Sequence, residues 1–211
     1  RYVEIYNRSN KIFDLTDFTL ANYARPTTMP QKIGIERQFL PGEYLVFTPK
    51  PLDVAARFAH VRPDWLLFQD LPSLTDRSDN VTLFWSENGQ KIVVDSLNYT
   101  AEWHNALLTS SEQEGVALER IRAEGFTNDA ANWTSAAKPA QGAAGTPTQP
   151  NSQRFQGNFD NADQLIQLPL ARLSPDDDGF EDFLAIQYLL PGPGYFATFT
   201  IYDAEGIPVK K

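Results

Sequence analysis

The dipeptide Asn88-Gly89 limits what this chain can fold into more than any other pair of neighbours. It lies inside NVTLFWSENGQKIVVDSLNY, residues 80–99, between two runs rich in β-branched and aromatic side chains. Asn and Gly tolerate the positive φ that a two-residue turn needs, and that turn matches the right-handed twist of paired strands. The stretch therefore predicts a long antiparallel hairpin. A lone hairpin is marginal in water, so further strands must cover its apolar face.

Those strands are predicted on both sides. YVEIYN, 2–7, alternates, with Val3 and Ile5 on one face and Tyr2, Glu4 and Tyr6 on the other. NRSNK is a turn cluster, and Phe13, Leu15, Phe18 and Leu20 anchor the apolar run after it. LPGEYLVFTP, 40–49, reads as a turn and a strand, and GVALERI, 115–121, as another strand. The best helix candidate is PKPLDVAARFAH: Pro51 suits a first helical turn, and Leu52, Ala55, Ala56 and Ala59 share a face. KPAQGAAGTPTQPNSQ, 138–153, has linker composition, and the domain boundary is placed just after it. Beyond it, LIQLPLARL, DFLAIQYLL, YFATFTIYD and the weaker IPVKK read as a β-meander, too few strands to close a sandwich alone. The expected fold class is all-β, built of two Ig-like units of which the second is partial.

Composition narrows the function. The 211 residues are 42% apolar and 12% aromatic, which places the chain among globular proteins. The net charge of −9 repels phosphate backbones, and no Lys/Arg cluster offsets it, so no nucleic-acid partner is expected. The absence of cysteine excludes disulfides, thiolate zinc sites and a cysteine nucleophile. No run of about 18 apolar residues is present, so no membrane span is expected.

The densest chemical feature is SPDDDGFED, 174–182, with five carboxylates between Asp176 and Asp182. Ser174, Asp176, Asp178 and Gly179 fall at positions 1, 3, 5 and 6 of a helix–loop–helix calcium loop. Position 12 is Ala185, where that loop needs a bidentate Glu, so that motif is rejected. Two readings stay open: a β-type Ca2+ site using Asp176, Asp178 and Asp182, or a solvated loop whose Asp side chains cap backbone amides. Trp85, Trp103 and Trp133 are either a sugar-stacking strip or core filling. His60 and His104 lack metal-ligand spacing, and no G-x-S-x-G elbow accompanies them, so no catalytic residue is assigned. Glu112 and Glu114 read as solvated loop carboxylates. Asn7, Asn80, Asn98 and Asn132 begin N-x-S/T triplets, most of which chance explains.

Residues 1–151 resemble the bacterial form of the lamin tail domain. The motifs that carry this are YVEIYNRSNKIFDLTDFTLAN, LPGEYLVF, SDNVTLFWSENGQKIVVDSLNY, EGVALERI, NWTSA and GTPTQPNS, in that order. After a linker at 152–165, residues 166–211 resemble the first half of an Ig-like module found in exported bacterial proteins and in flagellar hook-capping proteins, through LSPDDDGFEDFLAIQYLL and FTIYDAEGIPVKK. The strand that normally precedes the Glu4 strand is missing, so an excised fragment is expected. The resemblance implies an Ig-like β-sandwich without chemistry of its own, in an extracellular or cell-surface setting. Its partner would be a protein or a cell-surface polysaccharide, and the alternatives are an accessory carbohydrate-binding domain of a secreted hydrolase or a calcium-stabilised spacer. Glu4 and Asn7 match family positions. By residue chemistry they hydrogen-bond strand edge and turn, and Asp14 caps the turn after it.

Overall fold

The computed structural model describes residues 1–25, 29–154, 166–168, 173, 174, 176, 182, 184, 186–188 and 199–210. Strands in several small sheets dominate them, with one α-helix. The chain divides into two units: Arg1–Gln156 with Ser174–Asp182, and Gly157–Leu173 with Phe183–Lys211.

In chain order the first unit carries β1 (Val3–Tyr6), β2 (Phe13–Asp14), β3 (Phe18–Ala21), β4 (Gln31–Lys32), β5 (Gln38–Phe39), β6 (Tyr44–Thr48), α1 (Pro51–Arg57), β7 (Leu66–Phe68), β8 (Ser78–Glu87), β9 (Gln90–Thr100), β10 (Leu118–Arg120) and β11 (Trp133–Ser135). A four-stranded sheet runs β4-β3-β8-β9 and a three-stranded sheet β1-β6-β7; β2 pairs with β5 and β10 with β11. The hairpin β8–β9 turns where expected, with φ of 51° at Asn88 and 78° at Gly89. Its register slips between Leu83, level with Asp95, and Phe84, level with Val93, so Val94 is an extra residue on β9.

One core cluster draws on both larger sheets: Phe18 and Leu20 from β3, Leu45 and Phe47 from β6, joined by Leu15, Ile33 and Phe39. Burying such side chains stabilises by about 1.5–3 kcal/mol each. Val3 and Ile5 pack against this cluster, as their alternation predicts. The other face of β6 is closed too, since Val46 and Thr48 are fully buried. Glu4, level with Val46 in the ladder, meets the backbone N–H of Thr148 on that side at 2.7 Å.

One expectation needs correcting. The helix forms with Pro51 at its start, but Leu52 is 85% exposed and Val54 is the buried residue. Val54 and Phe58, four apart, make the inward stripe, with Phe58 edge-on to Tyr2 at 5.6 Å. Leu52, Ala55, Ala56 and Ala59 are all exposed. Much of the stretch of linker composition, 138–153, is hydrogen-bonded to the first unit. Ala143 N–H donates to the Arg57 carbonyl at 2.9 Å, the Ala144 carbonyl accepts from Ala117, and Arg62 N–H donates to Thr148 Oγ1 at 2.8 Å. A Cβ at Gly145 would lie 2.7 Å from the Phe58 ring. Small residues let a linker flex, but they also let backbone lie close against a neighbour.

The described part of the second unit holds two antiparallel pairs: β12 (Ile166–Gln167) with β13 (Gln187–Tyr188), and β14 (Ile201–Tyr202) with β15 (Pro208–Lys210). Each strand falls inside one of the four apolar runs. Asp203 Oδ1 accepts from Glu205 and Ile207 N–H at 3.1 and 2.7 Å, closing the β14–β15 turn around Gly206. Among the described residues no helix is long and apolar enough to cross a membrane.

Candidate functional site

The β10–β11 ribbon has two chemically different faces. Glu119 is level with Thr134, while Arg120 is level with Trp133 and Leu118 with Ser135. Strand alternation therefore sends Glu119 to one side and Arg120, Trp133 and Ser135 to the other.

On the first side Glu119 is 5% exposed and takes four hydrogen bonds. Its Oε1 accepts from Thr146 N–H and Oγ1 at 3.0 and 2.6 Å, and its Oε2 from Ser152 N–H and Oγ at 2.8 and 2.7 Å. Glu4 Oε2 accepts from Thr148 N–H between them. Two carboxyls thus clasp one segment, TPTQPNS. Glu4 is half-buried as a residue but its carboxyl is enclosed, and this burial raises its pKa from the usual 4.5 to about 8. The Thr148 bond opposes that rise and the negative charge of Glu119 adds to it. Tyr2 is pushed well above its ordinary value by burial first, then by the same two carboxyls. At neutral pH Glu4 keeps its proton on this side of the ribbon.

On the other side the rings of Trp103 and Trp133 stack, with centroids 6.4 Å apart and planes 27° apart. Trp133 Nε1 donates to the Thr127 carbonyl at 2.7 Å. The Arg120 guanidinium lies 5.9 Å from the Trp133 centroid and donates to Asp95 Oδ2 at 3.1 Å. Next to Trp103, His104 Nδ1 is 2.9 Å from Ser135 Oγ, and Ser135 Oγ also accepts from Asn105 N–H at 3.1 Å. The neutral imidazole either donates to Ser135 Oγ or accepts its proton, according to its tautomer. Burial lowers its pKa, which agrees with the neutral form. Serine beside histidine is the geometry of a nucleophile and its base. Here Ser135 is 1% exposed, and among the described residues no carboxylate bonds to the imidazole. The pair pins the turn after Trp103 to β11.

The remaining candidates separate. Trp85 packs against the core cluster, edge-on to Phe13 at 5.9 Å, so the three indoles do not form one strip. His60 is exposed, with φ of 63°, and its carbonyl accepts from Gln149. Glu112 is exposed and accepts from Thr109 N–H and Oγ1, bonds that lower its pKa; Glu114 is exposed. Asp14 Oδ1 caps its turn through Thr16 N–H at 2.9 Å. Asn7 is buried and donates to the Lys11 and Phe39 carbonyls, holding the first turn. Asn80 and Asn132 are buried as well, and Asn98 is exposed on β9. Asp176 is exposed, and Asp182 Oδ2 accepts from Gln153 Nε2 at 2.9 Å. Asp178 lies outside the described residues.

Sequence reasoning passed over Glu119, Arg120 and the Thr146–Ser152 segment. It also passed over Asp79, a buried carboxylate that accepts from Asn22 Nδ2, Arg25 Nε, and the N–H groups of Thr75 and Asn80. No family model, curated protein or solved structure matches the chain.

Proposed function

We propose that this chain is a non-catalytic interaction module of the lamin tail domain type, acting outside the cell or on its surface. In this reading residues 1–151 are an Ig-like β-sandwich and residues 166–211 part of a second Ig-like module. The observation that carries it is how the buried ionisable groups are used. Glu4, Glu43, Asp79, Glu119 and His104 all bind groups of their own chain, and most of those bonds hold loops. A scaffold uses polar groups this way, whereas an active site leaves some of them facing substrate. The test is turnover of chromogenic esters, glycosides and phosphoesters by the wild-type chain and by His104→Ala. No turnover dependent on His104 is expected; a signal that the substitution abolishes overturns the reading.

A second reading, an accessory carbohydrate-binding domain of a secreted hydrolase, is favoured by the Trp103–Trp133 stack beside Arg120. Indole faces suit the apolar faces of sugar rings, and a guanidinium suits their hydroxyls. This reading predicts retarded migration in gels cast with a soluble polysaccharide. Trp103→Ala would weaken that retardation about tenfold or more. Equal migration of both proteins with and without polysaccharide removes this reading and leaves the first.

A further inference from the structure

We propose that the open half of β9 pairs with the same strand of a second copy of this chain, antiparallel, over Lys91–Asp95. Among the described residues the four-stranded sheet ends at β9. The two halves of that edge differ. Over the C-terminal half the side chain of Asn128 takes the place of a neighbouring strand: its Nδ2 donates to the Ser96 carbonyl at 2.9 Å and its Oδ1 accepts from Asn98 N–H at 2.7 Å. Over the N-terminal half every residue from Gln90 to Val94 is exposed. Ile92, Val93 and Val94 are 44%, 51% and 52% exposed. The pairing of β3 with β8 stops at Trp85, which is level with Ile92, so the tip Ser86–Lys91 projects past the sheet while Ile92–Asp95 line its outer edge. An open edge carrying consecutive β-branched residues is a template for another strand.

Charge selects the occupant and its direction. An antiparallel second copy centred near Val93 sets Ile92 against Val94 and brings Lys91 to Asp95 at both ends. A parallel copy would set Lys91 beside Lys91 and Asp95 beside Asp95, which is unfavourable. The Asp95 carboxylate accepts from Arg120, Thr127 Oγ1 and Ser96 N–H, yet its side chain is 45% exposed, which leaves a second cation access to it. This inference extends the interaction reading by naming a partner, and the two fail separately: a monomeric chain removes self-pairing and leaves the polysaccharide and turnover tests unchanged.

Sedimentation of the full chain from about 1 μM to about 1 mM should show its mean mass rising from one chain toward two. Lys91→Glu places like charges at both ends of the paired segment, and Val93→Lys places them at its centre. Both sites are exposed, so each variant should keep the wild-type melting temperature and remain monomeric throughout. A wild-type chain that stays monomeric overturns the proposal and assigns Lys91 and the Val94 bulge to guarding the edge. Association undiminished in both variants also overturns it, by moving the contact elsewhere.

Discussion

Replacing Glu4 with Gln should stabilise the first unit at about pH 9 and leave it nearly unchanged at about pH 4. The sign follows from the raised pKa. Below 4.5 the folded and unfolded chains both hold the proton. Between 4.5 and about 8 the unfolded chain has lost it while the folded chain retains it, so rising pH favours unfolding. Above about 8 both are ionised and the loss is complete. Each unit of difference is worth about 1.4 kcal/mol, so the whole window approaches 5 kcal/mol, a large part of a typical domain's stability. Gln keeps an acceptor for Thr148 N–H and has no charge to bury. His104 works in the opposite sense: its lowered pKa adds stability as pH rises to 6.5 and nothing beyond. The comparison should therefore be Glu4→Gln against wild type at each pH, not one pH against another. All four tryptophans lie in the first unit, so their emission in a urea series reports its unfolding. Parallel pH profiles for the two proteins would refute the enclosed, protonated Glu4.

Glu119→Ala should have the opposite consequence, a loss of about 3–5 kcal/mol at neutral pH. It leaves the N–H groups of Thr146 and Ser152 without the acceptor they share, while the two hydroxyls can rotate to other partners. Glu119→Gln should recover only part of the loss. A carboxamide offers one acceptor oxygen where Glu119 uses both of its oxygens, and its NH2 group would face a backbone donor. The same Glu-to-Gln change thus stabilises at position 4 and destabilises at position 119. Amide hydrogen exchange gives the readout: Thr146, Thr148 and Ser152 should lose protection before the β3–β8 ladder does. Unchanged protection in Glu119→Ala would show that the segment is held by its contacts with Arg57, Phe58 and Arg62 instead.

Some of this arrangement is visible in local sequence and some is not. Alternation in YVEIYN places Val3 and Ile5 on the core and Glu4 on the far side, and the structure agrees. Alternation cannot say that the far side is also buried. That depends on TPTQPNS, whose partners Glu4 and Glu119 lie 144 and 27 to 33 residues away. The small residues of 138–153 read as a linker because flexibility and close approach call for the same composition. The helix face was misread. Apolar spacing pointed to the face of Leu52, Ala55, Ala56 and Ala59, and the Tyr2 ring that meets Phe58 is far away in sequence. His104 and Ser135 gave no signal at all, because a serine and a histidine 31 residues apart are common in any chain.

What the sequence by itself determined is local: the Asn88-Gly89 hairpin, the alternating faces of β1, the Asp14 cap and the β-rich character. These depend on φ preferences and on side-chain period, which act over a few residues. Tertiary structure alone decided which second faces are buried, which carboxyl keeps its proton and which half of β9 stays open. Those depend on what packs from a distance, because burial and local dielectric belong to the assembled neighbourhood and not to a residue's neighbours in the chain.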